Sequence, residues 1–278
     1  MTTTRWRAVV LAGALVATPA FATPPAPGQH FDCSDGGDTS CAADDEGCVP
    51  ADSAAYKCSS IAGRIIAKAV KGAMACHAKQ ATMRFKGTSI NGAGTSEENC
   101  ENNPGKSVKS LFDAGLSKLS SLGCNPALIS GVTTYGNTLF GSGPGSFDGD
   151  NGLVYCDSSS GALIGDDDTG SVAATPEMLK CEIAVAKGLV KLQATTSKCH
   201  TKMAAYFLKG IDFDEEACEE VAPGTAKGGL ERFEDLRNKL VAAGICPTSC
   251  LSGAAMESLA ADTIAREDTN NDIAFPCP

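Results

Sequence analysis

One stretch of the chain occurs twice, and this internal repeat is the strongest constraint on the fold. Lys57-Cys58 begins a helix-compatible run that contains Cys76-His77 and ends at Lys86-Gly87. Lys180-Cys181 begins a second run in which these positions recur after 123 residues, with Cys199-His200 in the place of the first Cys-His pair. Such a duplication predicts two similar structural units in one chain.

We expect an all-α protein of two tandem helical-hairpin modules, over residues 33–155 and 156–278, each with two to three helices. Asp52 or Ser53 is a suitable N-cap for the first long helix, and Thr175 followed by Pro is suitable for the second. Asp/Gly/Ser-rich acidic loops connect the helices. At about 120 residues, each module is large enough for a core of its own.

The N-terminus has the composition of a secretory signal. Two arginines precede a short apolar run, and Ala20-Phe21-Ala22 has the small-x-small form that signal peptidase prefers. This pattern predicts a signal peptide over 1–22 that is cleaved after Ala22, followed by a Pro-rich leader over 23–32. We therefore expect a secreted or periplasmic protein that does not span a membrane.

The fourteen cysteines are the second constraint. An even, abundant set in an exported chain is typical of a disulfide framework. Eighteen residues make five helical turns, so Cys58 and Cys76 lie on one face of a helix, about 27 Å apart. A second helix that packs antiparallel to the first would bring one cysteine close to each end of that face. The predicted pairs are Cys58 with Cys124, Cys76 with Cys100, Cys181 with Cys246, and Cys199 with Cys218.

Six cysteines remain without a deduced partner. They are Cys33, Cys41, Cys48, Cys156, Cys250 and Cys277. A local bond between Cys41 and Cys48 is the most direct possibility.

The Cys-His pairs also allow a second interpretation. A covalent haem site ends in Cys-His, and its histidine ligates the iron, which would make His77 and His200 haem ligands. The usual motif has a further cysteine three residues earlier, where this chain has Ala73 and Thr196. Because Cys76 and Cys199 have disulfide partners in the hairpin scheme, we expect instead an exposed histidine beside each bond.

Asp/Asn-rich turns form a third candidate site. Their oxygen atoms are ligands that Ca²⁺ prefers, although neither turn completes the helix-loop-helix calcium pattern. Asx turns with solubilising charge explain the same residues without metal. The candidate calcium ligands are Asp148, Asp150, Asp166, Asp167, Asp168, Asp268, Asn270 and Asp272.

The charge distribution excludes one class of partner. The net charge is −10, with acidic connectors between basic helices. An acidic protein is a poor ligand for nucleic acid, whose phosphates need a basic face. The sequence also lacks a convincing hydrolase, phosphate-loop, metalloprotease or dinucleotide motif. We therefore expect a protein that is not an enzyme.

The repeat resembles secreted bacterial proteins with Cys- and Lys-rich helical repeats. The resemblance lies in the Lys-Cys start, the Lys-rich helix, the Cys-His pair and the Lys-Gly stop. That group has no assigned activity to transfer. The stapled hairpin also looks like the coiled-coil-helix proteins with twin spaced cysteines, which share the architecture alone. We expect an exported, non-enzymatic binding or structural protein without a cofactor, whose partner is a cell-envelope or extracellular ligand. The alternatives are a calcium-binding extracellular protein and a periplasmic c-type haem electron carrier.

Overall fold

The computed structural model describes residues 24–31, 46–88, 97–165, 167–220 and 228–278. Over these ranges the protein is mostly α-helical, and the predicted fold class is confirmed. The helices of the first half are α1 (Ser53–Phe85), α2 (Glu97–Glu101), α3 (Val108–Ser121), α4 (Pro126–Leu139) and α5 (Phe147–Asp150). The helices of the second half are α6 (Pro176–Phe207), α7 (Glu215–Glu219), α8 (Gly229–Ala243), α9 (Gly253–Thr269) and α10 (Asn271–Ala274).

A short antiparallel hairpin interrupts the helical pattern near the start of the second half. Its strands are β1 (Leu163–Gly165) and β2 (Asp168–Ser171). The sequence predicts a loop here, because the segment is rich in Asp and Gly. The hairpin forms because Ile164 is fully buried and because Gly165 and Gly170 adopt positive φ angles of 89° and 113°.

The two long helices begin and end where their capping residues predict. The Asp52 carboxylate accepts hydrogen bonds from the backbone N–H groups of Ala54 and Ala55 at the start of α1. The Thr175 side chain caps α6 in the same way. Gly87 and Gly210 follow the helices with φ angles of 65° and 67°, which glycine adopts without strain.

Disulfides tie each long helix to its neighbours at two levels. All four bonds that the spacing predicts are present: Cys58–Cys124, Cys76–Cys100, Cys181–Cys246 and Cys199–Cys218. A disulfide that closes one of the longer loops lowers the entropy of the unfolded chain. It thereby stabilises the folded protein by about 2–4 kcal/mol. The short helices α2 and α7 are thereby held against the C-terminal parts of α1 and α6.

Two further bonds were not deduced from the sequence. Cys156 is bonded to Cys250, and Cys48 is bonded to Cys277, 229 residues away. The expected local bond between Cys41 and Cys48 is therefore wrong, because the backbone N–H of Cys48 donates to the Phe275 carbonyl and places it beside the C-terminus. Cys33 and Cys41 lie outside the described residues.

The two halves interlock through α1 and α6, which pack against each other. Phe31 and Val49 from the first half join a cluster with Met203 and Phe207 on α6. Ile164 from the second half packs into a cluster that includes Ala81 on α1. The β1–β2 hairpin thus packs on the C-terminal part of α1, and Phe31 and Val49 pack on that of α6. Within the described ranges, no helix combines the length and the apolar composition needed to cross a membrane.

Close packing around Gly136 in α4 gives a direct test of the first-half core. A Cβ atom at this position would collide with the ring of Phe112. We expect Gly136→Ala to lower the free energy of unfolding by about 1–3 kcal/mol in urea titrations with the disulfides intact. Gly131 is the matched control in the same helix, because the nearest atom to its Cβ would be 4.0 Å away. Gly131→Ala should raise stability by about 0.5–1 kcal/mol; equal effects at both positions would contradict this packing.

The buried carboxyl group of Glu182 predicts a pH dependence. Burial raises the pKa of Glu182 to about 7, although the backbone N–H groups of Asp157 and Cys156 oppose the shift. The folded protein therefore holds this proton more tightly than the unfolded chain does. The contribution of the protonated Glu182 carboxyl group to stability is complete below pH 4.5 and is lost as the pH rises through 7.

We expect Glu182→Gln, which keeps an acceptor oxygen but does not titrate, to remove about 2 kcal/mol of the stability difference between pH 5 and pH 8. Urea midpoints at the two pH values measure this difference. Glu177→Gln, at an exposed position of the same helix, is the control and should leave it unchanged. An identical pH profile for Glu182→Gln and the parent protein would refute the assignment.

Candidate functional site

The two histidines of the repeat lie inside the protein. The exposed fraction is 0% for His77 and 2% for His200. The expectation of exposed histidines beside disulfides is therefore wrong. The neighbouring bonds Cys76–Cys100 and Cys199–Cys218 bring α2 and α7 over the histidines and cover them.

Four carboxylates converge on one ring nitrogen of His77. The distances from Nε2 are 3.5 Å to Glu97 Oε1, 3.1 Å to Glu101 Oε1, and 3.4 Å to both Asp148 Oδ1 and Asp168 Oδ1. The ligand atoms of His77, Glu97, Asp148 and Asp168 lie within 4.8 Å of one another. The site is therefore a compact shell of one nitrogen and several oxygen atoms.

Three elements position these carboxylates. Glu97 and Glu101 are four residues apart in α2 and so share one face of that helix. Thr169 fixes Asp168 of β2 beside Asp148 of α5, because its hydroxyl lies 2.9 Å from the carbonyl oxygens of Asp148 and Gly149. The hairpin of the second half thereby supplies one side chain to the site of the first half.

Hydrogen bonding does not account for this arrangement. A neutral imidazole nitrogen carries at most one proton, so Nε2 cannot donate to four acceptors. Within the described part of the chain, both carboxylate oxygens of Glu97, Glu101 and Asp168 are buried without a hydrogen-bond donor, as is Asp148 Oδ1. Buried polar atoms are otherwise nearly always paired, so these oxygens are candidate ligands for a cation.

His200 lies in a second site with three close carboxylates among the described residues. Its Nε2 is 3.4 Å from Glu215 Oε1, 3.3 Å from Glu219 Oε1 and 3.3 Å from Asp268 Oδ1. These residues occupy the positions in the second half that correspond to Glu97, Glu101 and Asp148 in the first. The position 123 residues before Asp168 is Asp45, which lies outside the described residues.

The electrostatics of the first site favour a bound positive charge. Burial lowers the pKa of His77, but the close carboxylates of Asp148 and Glu101 and the charge of Asp168 raise it to about 10. Burial and the charge of Glu101 raise the pKa of Glu97 to about 10. Burial raises the pKa of Asp168 to about 7, against the opposing effect of His77. Without a metal ion, the site must therefore hold protons to limit the repulsion between its carboxylates.

The distances match adjacent ligands of one cation. Two ligand atoms that each lie about 2.2 Å from a metal ion are about 3.1 Å apart at 90° and about 3.6 Å apart at 110°. The contacts at His77 and His200 all lie between 3.1 and 3.5 Å. The residues present therefore fit a metal ion at each histidine.

The structure separates the residues predicted as calcium ligands into different environments. Asp148, Asp168 and Asp268 join the histidine sites, and Asp167 lies beside Glu98 and Asp148. Asp150, Asn270 and Asp272 do not join these sites. Asp150 forms an ion pair with Arg266, Asn270 donates to the Arg266 carbonyl, Asp272 is exposed, and Asp166 lies outside the described residues.

Cysteine sulfur cannot be a ligand at the two predicted haem positions or beside His30. The sulfur atoms of Cys76 and Cys199 are in disulfides and have no thiol for a thioether bond to haem. His30 lies near Cys48 and Cys277, but these two sulfur atoms are bonded to each other. A disulfide sulfur is not a thiolate ligand.

Sequence reasoning missed four of the carboxylates. Glu97, Glu101, Glu215 and Glu219 belong to two matching segments, Glu-Glu-Asn-Cys-Glu and Glu-Glu-Ala-Cys-Glu. In each segment the cysteine is predicted to bond the residue that precedes a histidine. Combining that pairing with the shared helical face of Glu97 and Glu101 could have placed both carboxylates beside His77.

Compared with family models, curated proteins and solved structures, the chain matches none. The resemblance to secreted proteins with Cys- and Lys-rich repeats therefore stays a prediction.

Proposed function

We propose that this protein is an exported, non-enzymatic binding protein whose ligands are divalent metal ions, one at each buried histidine. The convergence of buried carboxylate oxygens on the Nε2 atom of His77, repeated at His200, carries this proposal. Ionised carboxylates at such distances repel strongly in a low-dielectric interior. A divalent cation at the centre removes that repulsion. In the first site it also supplies a partner for Glu97 and Glu101, whose carboxylate oxygens have no hydrogen-bond donor among the described residues.

The ligand types favour Mn²⁺ or Fe²⁺. Carboxylate oxygens suit hard cations, whereas an imidazole nitrogen suits first-row transition metals. Calcium and magnesium prefer shells of oxygen alone, and structural zinc prefers thiolate and imidazole. A ligand set of one imidazole and three or four carboxylates meets both preferences. Mn²⁺ and Fe²⁺ accept such a mixture of nitrogen and oxygen ligands.

Burial favours binding over catalysis. Catalytic metal sites keep a coordination position open to substrate, and structural sites are closed. His77, Glu97 and Glu101 are at most 2% exposed. In the first site, Asp168 comes from the second half of the chain, so a metal ion there would also hold the two halves together.

Export is supported by two features of different kinds. Six disulfides link the described residues, and such bonds persist in oxidising compartments. The N-terminal segment has the pattern of a signal peptide. Together they favour a periplasmic or extracellular location for the metal-binding role.

Metal stoichiometry tests the proposal. After treatment with a chelator, the protein should bind two Mn²⁺ ions per chain in calorimetric titration and release protons as it does so. His77→Gln and His200→Gln should each lose one ion. His30→Gln is the control and should retain both, because His30 belongs to neither site. Saturable binding of Ca²⁺ but not of Mn²⁺, or unchanged stoichiometry in both variants, would disprove the assignment.

Glu101→Gln should change the free energy of unfolding in opposite directions in chelator and with Mn²⁺. In chelator, the variant should be more stable by about 1 kcal/mol, because one of the repelling buried carboxylates is gone. With Mn²⁺, it should be less stable than the parent protein, because loss of a ligand weakens metal affinity at least about tenfold.

Urea titrations with and without Mn²⁺ measure both effects. Asp113→Asn is the control, because Asp113 pairs with Lys109 on the surface. Its effect should be small and equal in the two conditions. A Glu101→Gln variant that is destabilised to the same extent in both would rule out a metal ligand at this position.

A further inference from the structure

The two hairpins carry glycine on opposite helices where their helices come closest. In the first half, a Cβ atom on Gly115 of α3 would lie 2.7 Å from the side chain of Ile65 on α1. In the second half, a Cβ atom on Gly188 of α6 would lie 2.6 Å from the side chain of Leu236 on α8. Each hairpin therefore packs one large aliphatic side chain directly against a glycine of the facing helix.

These four residues occupy corresponding positions of the repeat. Ile65 and Gly188 are 123 residues apart, which is the offset between the two long helices. Gly115 and Leu236 are 121 residues apart, and the same offset relates the buried ring of Phe112 on α3 to that of Phe233 on α8. The large residue and the glycine have therefore exchanged sides between the two halves.

A second contact, two helical turns along α1, shows the reverse exchange. A Cβ atom on Gly72 of α1 would lie 2.8 Å from the side chain of Val108 on α3. A Cβ atom on Gly229 of α8 would lie 3.2 Å from Cβ of Thr195 on α6. These pairs are related by the same two offsets, 123 for the long helices and 121 for their partners. Here the glycine is on the long helix in the first half and on the partner helix in the second.

An exchange of partner helices would misfit at both contacts. If α8 packed on α1, Ile65 would meet Leu236, and two large side chains would compete for the space of one. Gly72 would meet Gly229 and leave a void. If α3 packed on α6, the void and the overfilled contact would change places. Close-packed interiors lose stability through either defect.

The disulfides alone do not prevent such an exchange. Cys58 and Cys181 hold equivalent positions in the long helices, and their partners Cys124 and Cys246 are equivalent as well. A crossed set, with Cys58 bonded to Cys246 and Cys181 to Cys124, would join the same kinds of position. Thiol–disulfide exchange interconverts such sets during folding. Selection of the native bonds therefore depends on how well the helices fit.

We propose that the hairpin face of each long helix is a recognition surface that accepts its own partner helix and rejects the corresponding helix of the other half. Specific recognition often combines a good fit to the right partner with clashes against the wrong one. The two opposed glycine contacts supply both. The inference is independent of metal binding, because these contacts use neither histidine.

Oxidative refolding tests the proposal. The full chain is reduced, unfolded and refolded in glutathione buffer, and mass spectrometry of linked peptides counts native and crossed bonds. In the parent protein, crossed bonds should be at least about tenfold less frequent than native ones.

A fourfold variant gives the first half the glycine order of the second. Its substitutions are Ile65→Gly, Gly72→Thr, Val108→Gly and Gly115→Leu. Each hairpin remains matched within itself and the number of glycines is unchanged, but the two halves no longer differ. Crossed bonds should therefore become at least about tenfold more frequent than in the parent protein.

A rescue variant separates helix recognition from a general loss of stability. To the four substitutions it adds Gly188→Ile, Thr195→Gly, Gly229→Val and Leu236→Gly, which give the second half the original order of the first. The two halves differ again, so crossed bonds should fall to the parent level. If circular dichroism shows that the fourfold variant does not fold, Ile65→Gly with Gly115→Leu alters one contact only and should raise crossed bonds in the same direction.

Three outcomes would overturn the proposal. Abundant crossed bonds in the parent protein would show that the glycine contacts do not select the partner helix. An unchanged native pattern in the variants with a shared glycine order would show that another feature selects it. Crossed bonds that persist in the rescue variant would assign them to lost stability instead of lost recognition. The number of metal ions bound by the parent protein is measured separately, so either proposal can fail alone.

Discussion

The burial of several carboxylates around a single imidazole nitrogen is the constraint on which the rest of the structure depends. Such a group of charges is unstable in a protein interior unless protons or a cation balance it. The surrounding elements keep it buried. The Cys76–Cys100 bond holds α2 over His77, and the β1–β2 hairpin brings in Asp168. A cation bound there would therefore link stability and ligand binding at the same atoms.

The interlocking of the two halves follows from the same feature. Each half has one long helix with a histidine near its end. The β1–β2 hairpin packs on the C-terminal part of α1, and Phe31 and Val49 pack on that of α6. The Cys48–Cys277 bond closes this arrangement covalently across 229 residues. A metal ion at His77 would tie Asp168 of the second half to α1 of the first. Binding at this site would therefore also stabilise the packing of α1 against α6.

Local chemistry made much of the architecture predictable. Asp52 and Thr175 start the long helices because their side chains satisfy free backbone N–H groups, and glycine follows each helix because it adopts positive φ at little cost. The four hairpin disulfides followed from helical periodicity, since eighteen residues return to the same face. The candidate metal ligands were predictable in part. Asp148, Asp168 and Asp268 stood out by composition, but their grouping with histidine and with glutamates of α2 and α7 did not.

The sequence by itself determined the helices, their caps and the bonds within each hairpin, because these depend on neighbours within a few turns or on one antiparallel pairing. Only the tertiary structure decided that His77 and His200 are buried, that Cys48 meets Cys277, and that Asp168 reaches the first half. These features depend on how α1 packs on α6 and on where the acidic loops come to lie. Such contacts join residues far apart in the chain, so no local pattern records them.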